Sequence, residues 1–184
     1  MHDIFNIGER LDDQQAYEEY LRVLKALAGT GMNMNVAKVA AAQAAHETNY
    51  FTSNVYRNNN NASGIRVHGK KIYKSYPNIE EWADDMVIEL RKNKGVGAPI
   101  NAKDVADYAH RLKFNHYYED SESNYKRGIE RALQYIAKID TPARREKDLS
   151  NFSARYSNEG DITKRDKEVL QVPGYINKSL TWWQ

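Results

Sequence analysis

Segments whose apolar side chains recur at the helical period fill the first 140 residues, separated by Gly- and Asn-rich breaks. A chain so patterned folds as helices that share one core. Asp12 or Asp13 can cap the first, with Tyr17, Tyr20, Leu21, Leu24 and Leu27 inward and Gly29 and Gly31 as the stop. Asn35 can cap a second from Val36 to about Tyr50. Asn58 to Gly64 reads as a loop, and Ile65 to Tyr76, with His68-Gly69 at its middle, as a small hairpin. Asn78 and Glu81 form a capping-box pattern ahead of a third helix that buries Ile79, Trp82, Ala83, Met86 and Leu90. After the break at Gly95–Pro99, a fourth helix from Asn101 turns Val105, Tyr108, Ala109 and Leu112 inward. A fifth follows the Tyr-rich loop and carries Tyr125, Ile129, Leu133 and Ile136. The expected fold is mainly α (α+β), with one small β-hairpin.

Thr141-Pro142 marks a change of character. Residues 141–184 alternate charges and thin out in apolar side chains, so they cannot bury much core of their own. We expect a domain over 1–140 and an extended C-terminal arm over 141–184, whose Tyr175, Ile176, Leu180, Trp182 and Trp183 dock on the domain or on a partner, such as a virion component or a neighbouring copy.

Composition excludes several function classes. The 184 residues carry a net charge of only +2. The first 140 balance at 19 basic and 19 acidic residues, without the concentrated basic stripe of a nucleic-acid binder. No apolar run approaches the roughly 20 residues of a membrane span, and the mean hydropathy is −0.82. The start, Met1-His2-Asp3-Ile4-Phe5-Asn6, lacks the basic and apolar regions of a secretory signal peptide, so none is expected. With no cysteine, disulfides and thiolate chemistry are out. His46-Glu47 begins a zinc-protease motif, but Tyr50 stands where the second imidazole belongs. We expect neither metal nor cofactor. The 13 Tyr against 4 Phe match residues that bind sugars, and equally those of cores and interfaces.

The second helix carries the candidate chemistry. At 100° per residue from Val36, the positions of Val39, Ala40, Gln43 and Glu47 lie within about 60° of one line. Glu47 thus ends a face that packs inward. Partial desolvation there raises a carboxyl pKa toward the range a general acid needs; a solvated glutamate at the helix end is the alternative.

The run Ala41-Ala42-Gln43-Ala44-Ala45-His46-Glu47-Thr48-Asn49-Tyr50, followed by Asn60-Asn61-Ala62-Ser63-Gly64-Ile65-Arg66, resembles the glucosaminidase domain of glycoside hydrolase family 73. That family's pattern is Ala-Gln-Ala, a short gap, Glu-Ser-Gly-Trp, and later Asn-Asn-Leu-Phe-Gly-Ile-Lys. Tyr73-x-x-Tyr76 with Glu80 to Asp85, and Ala106-x-x-Ala109-x-x-Leu112-Lys113-x-x-x-Tyr117 with Asp120 and Tyr125, are similar to its later segments. The resemblance spans roughly residues 12–139. It implies a lysozyme-like fold and cleavage of the β-1,4 bond after N-acetylglucosamine in peptidoglycan.

The same resemblance implies Glu47 as general acid and Tyr117 as the active-site tyrosine, with Tyr118 in its place if the register differs by one. Tyr50 and Tyr56 could stack on sugar rings or pack in the core. Asn60, Asn61 and Ser63 could bind sugar or build the loop. Arg66 could reach a peptide carboxylate or lie free on the surface. The family often carries a second acid on a longer hairpin, whereas Val67 to Tyr76 contains none. Substrate assistance by the 2-acetamido group would need only one protein acid. A non-catalytic wall-binding or virion structural component, and a muramidase or lytic transglycosylase, are the competing readings. A phage setting, with the enzyme released at lysis or carried by virion proteins bound to the arm, would explain access to the wall without a signal peptide.

Overall fold

The structure, a computed structural model, describes residues 11–140; the expected arm, 141–184, lies outside the described residues. The chain divides into units Met1–Ile136 and Ala137–Gln184, and the fold set out below is that of the first. Its described part is mainly helical: α1 (Asp13–Gly29), α2 (Met34–Glu47), α3 (Asn54–Asn59), α4 (Ile79–Arg91), a 3-10 turn at Pro99–Asn101, α5 (Val105–Phe114) and α6 (Glu122–Ile139), whose end from Ala137 on is counted with the second unit.

Local chemistry sets most of these bounds. Asp12 caps α1 by accepting from the Gln15 amide, and the Gln15 side chain returns the bond to the Asp12 amide, completing a capping box. Thr30 ends the helix, and Gly31 takes the left-handed conformation (φ 81°) that reverses the chain. Asn33, not Asn35, caps α2, so the helix starts earlier than its sequence suggests. Asp104 caps α5; Asn101 belongs instead to the 3-10 turn that Pro99 opens.

The stripe expected on α4 is buried as read, with Trp82 fully so. So is the stripe of α5: Val105, Tyr108, Ala109 and Leu112. Leu21 and Leu133 sit at the edges of their stripes and stay partly exposed.

α2 is the centre of the domain. Every residue from Val36 to Ala45 is buried, on all sides of the helix, as befits a helix enclosed by others. Alanine at 37, 40, 41, 42, 44 and 45 leaves at most 1% of each side chain exposed, so neighbouring helices approach the backbone closely. α1 packs against both α2 and α4. A helix enclosed from Val36 to Ala45 delivers its last residue, Glu47, at a fixed place.

The exit from α2 is abrupt. Asn49, Tyr50 and Phe51 all have positive φ (50°, 56° and 66°), a conformation that costs non-glycine residues energy unless the surroundings enforce it. Buried Thr48 enforces it: its hydroxyl donates to the Ala44 carbonyl at 2.6 Å and accepts from the Phe51 amide at 2.9 Å. The helix therefore stops at Glu47 rather than running on to Tyr50.

The expected hairpin is present in miniature. Among the described residues it contains no strand, only an antiparallel bridge between Arg66 and Tyr73. The Val67 amide donates to Ile72 O and the Lys74 amide to Ile65 O, both at 2.8 Å. Gly69 (φ 71°) turns the tip.

Candidate active site

Glu47 leaves the end of α2 at the floor of a cleft of about 1220 Å³. His46 lines the same cleft, with Tyr117 and Tyr118 from the α5–α6 loop, Tyr125 from α6, and one side of the 65–74 hairpin. Two donors converge on one oxygen of Glu47. Gln43 Nε2 donates to Oε1 at 2.9 Å, and the Tyr125 hydroxyl donates to the same Oε1. Gln43, wholly buried one turn earlier on α2, is itself fixed by the Tyr108 hydroxyl, which donates to its Oε1 at 2.5 Å. In this arrangement the Gln43 nitrogen faces Glu47 while its oxygen faces Tyr108.

Burial pushes the Glu47 carboxyl up to about 7, against the opposing pull of the Tyr125 and Gln43 hydrogen bonds. Its position at the negative end of α2 acts in the same upward direction. A carboxyl held there is largely protonated in weak acid. With Oε1 accepting two bonds, its proton belongs on Oε2, to which no described residue donates.

The tyrosines around Glu47 are neutral phenols. Burial, and then the charge of Glu47, hold Tyr108, Tyr117 and Tyr125 well above their ordinary range. Tyr118 is pushed up to about 12, by burial first and then by Glu122 and Asp120. Its ring stacks on Tyr125 at 3.7 Å between centroids, 11° from parallel, and its hydroxyl donates to Ala109 O at 2.9 Å. Tyr117 donates to the Ser63 carbonyl at 3.3 Å, a long bond. Burial holds the His46 imidazole below its usual range, while Asp120 pulls it up. The ring meets Tyr125 edge-on at 5.8 Å.

Comparison with known families decides what this arrangement belongs to. Residues 24–142 match the family model described as glucosaminidase, mannosyl-glycoprotein endo-beta-N-acetylglucosaminidase. The chain belongs to the glucosaminidase family. No curated protein and no solved structure matched it. Membership supports a peptidoglycan hydrolase in general, on a mainly α, lysozyme-like glucosaminidase domain.

Within this glucosaminidase domain the residues singled out from sequence separate into two groups. Glu47, Ser63, Arg66, Tyr117 and Tyr118 line the cleft. Tyr50, Tyr56, Asn60 and Asn61 do not, and each has a structural task. Tyr50 meets Tyr135 edge-on at 4.8 Å. Tyr56 is buried against Phe51, with its hydroxyl donating to Glu19. Asn60 takes the left-handed position that ends α3 and donates to Tyr76 O at 3.0 Å. Asn61, wholly buried, donates to Ile65 O and Lys74 O and accepts from the Ile65 amide, tying the base of the hairpin. Ser63 serves both groups, since its hydroxyl accepts from Trp82 Nε1 at 2.9 Å.

Gln43, Tyr108 and Tyr125 read from sequence as inward-facing positions, Gln43 and Tyr125 also as parts of the family's pattern, and none as a partner of Glu47. Tyrosine in place of phenylalanine at buried stripe positions was the available signal, because a buried hydroxyl needs a partner. Gly128 gave none. A Cβ there would collide with the His46 ring, so α6 presents a notch in which the imidazole sits. Among the described residues no three His, Cys, Asp or Glu side chains converge as a metal site.

Proposed function

We propose that the protein cleaves the β-1,4 bond after N-acetylglucosamine in peptidoglycan, with Glu47 as its general acid. The observation that carries this reading is the Glu47 carboxyl itself: it lines the cleft, its pKa is pushed up to about 7, and both of its protein donors are spent on Oε1. Oε2 then gives its proton to the glycosidic oxygen as the C1–O bond breaks. Glu47, now a carboxylate, is stabilised by Tyr125 and Gln43, which donate to it more strongly once it is charged. The same carboxylate takes a proton from the water that completes hydrolysis.

The other carboxylates lining the cleft are Glu89, Glu119 and Asp120; Glu89 is ion-paired with Lys92, and the other two are exposed. None is desolvated as Glu47 is. This favours attack on C1 by the substrate's own 2-acetamido oxygen, a route that needs one protein acid. Tyr117, whose bond to Ser63 O is long, is free to turn its hydroxyl to that acetamido group. Tyr118, Ser63 and Arg66 are the further sugar and peptide contacts of this reading.

Mass spectrometry of fragments released from purified peptidoglycan tests it. The expected fragments end in reducing N-acetylglucosamine. Reducing muramic acid would make the protein a muramidase, and an anhydro ring a transglycosylase. No fragments at all would leave a wall-binding role.

A further inference from the structure

Residues 1–140 are balanced in charge, yet between Ile65 and Asn78 the chain places Arg66, His68, Lys70, Lys71 and Lys74 with no acidic residue. The hairpin brings Arg66, Lys70, Lys71 and Lys74 to the lining of the cleft, and the segment after α4 adds Lys92 and Lys94. Two of these are neutralised: Lys74 by Asp85 at 2.6 Å and Lys92 by Glu89 at 2.5 Å. Arg66, Lys70, Lys71 and Lys94 are exposed and have no carboxylate partner among the described residues. Arg66 lies over the Tyr73 ring, 5.1 Å from its centroid. Four such cations repel one another, and a concave, partly apolar wall strengthens their field at the cleft.

We infer that this wall, centred on Lys70 and Lys71, captures the carboxylates carried by the peptide substituents of the glycan proposed above. The inference rests on the hydrolase reading above and adds to it a source of selectivity. Lysines suit this task. Their ammonium groups are point charges on flexible stems, able to follow carboxylates whose positions vary from one repeat to the next, whereas arginine demands a fixed bidentate geometry. The contact is made in open solvent, so it acts on capture and on KM, and added salt screens it.

The test uses the full chain and purified sacculi freed of phosphate polymers, either native or with their carboxylates amidated by carbodiimide and methylamine. Release of reducing ends is followed at low salt and at ~0.3 M NaCl. Wild type should lose about tenfold in kcat/KM on amidated sacculi, and a similar factor at high salt. Lys70→Glu/Lys71→Glu should start about tenfold lower on native sacculi, through KM, and respond to neither amidation nor salt. Lys70→Gln/Lys71→Gln should fall between the two, and carries the test if the Glu pair lowers the melting temperature. Variants that match wild type on native sacculi, or a wild type indifferent to amidation, would overturn the inference while leaving the hydrolase reading intact. A variant defect confined to walls that keep their phosphate polymers would also overturn it, by assigning the lysines to those polymers. If wild type cuts no sacculi in any arm, the hydrolase reading fails and this inference with it.

Discussion

The Tyr125 hydroxyl, on α6, donates to Oε1 of Glu47, 78 residues earlier at the end of α2. The bond crosses the cleft floor and favours the charged form of the carboxyl. Tyr125→Phe should therefore raise the Glu47 pKa further and move the basic limb of the kcat/KM–pH profile upward. The stability cost should be about 1 kcal/mol, since one hydrogen bond is lost and the ring stays. A limb that moves downward, or does not move, would separate Tyr125 from the titration of Glu47.

Glu47 also imposes a pH dependence on folding. Its folded pKa of about 7 lies above the ordinary value of 4.5, so the folded state holds the proton more tightly than the unfolded chain does. The contribution to stability is complete below about pH 4.5 and is lost as pH rises through 7. Glu47→Gln mimics the protonated acid: its carbonyl oxygen can accept from Gln43 and Tyr125 as Oε1 does. Its melting temperature should match wild type at pH 4 and exceed it at pH 8, by the equivalent of at most about 3 kcal/mol. Thermal melts of both proteins across this range check the sign.

Gly128 and His46 should behave as a coupled pair. Gly128→Ala forces the imidazole out of its notch, but the ring is exposed and can turn away. Alanine also favours the helix over glycine by about 1 kcal/mol, so the single variant should change stability by less than about 1 kcal/mol. His46→Ala removes the clash, so in that background Gly128→Ala should gain the full helix preference of about 1 kcal/mol. A double-mutant cycle by thermal or urea unfolding measures the coupling, and strict additivity would show that the ring and the glycine do not interact.

Tyr117→Phe should separate activity from stability. The lost bond to Ser63 O is 3.3 Å long, so the stability change should stay below about 1 kcal/mol. If the hydroxyl instead holds the reacting acetamido group, kcat should fall by about 10². Full activity in Tyr117→Phe, with loss in Tyr118→Phe, would move the role to Tyr118.

Much of this was legible from periodicity. The α4 stripe from Ile79 to Leu90 and the α5 stripe from Val105 to Leu112 follow from helical spacing alone, and α2's spacing aims Glu47 inward. α3 was not legible: Asn54-Val55-Tyr56-Arg57-Asn58-Asn59 has weak helix propensity. It forms because Ser53 caps it and Tyr56 packs inward. The end of α2 was misread because Tyr50 continues the apolar pattern, while Thr48 and the left-handed run after it are decided by buried hydrogen bonds. Asn60 and Asn61 looked as fit for sugars as for a loop; only their partners across 16 and 13 residues show what they hold. The coupling of Gln43, Tyr108 and Tyr125 to Glu47 joins helices far apart in sequence, which no local pattern encodes.

The central claim is that Glu47 supplies the proton, and Glu47→Gln assayed on purified peptidoglycan tests it most directly. The variant keeps the shape and the hydrogen bonds of the neutral acid but has no proton to give. With folding verified by its melting temperature, the account predicts a loss in hydrolysis rate of about 10²–10⁴. Wall clearance by Glu47→Gln at near wild-type rate would contradict it.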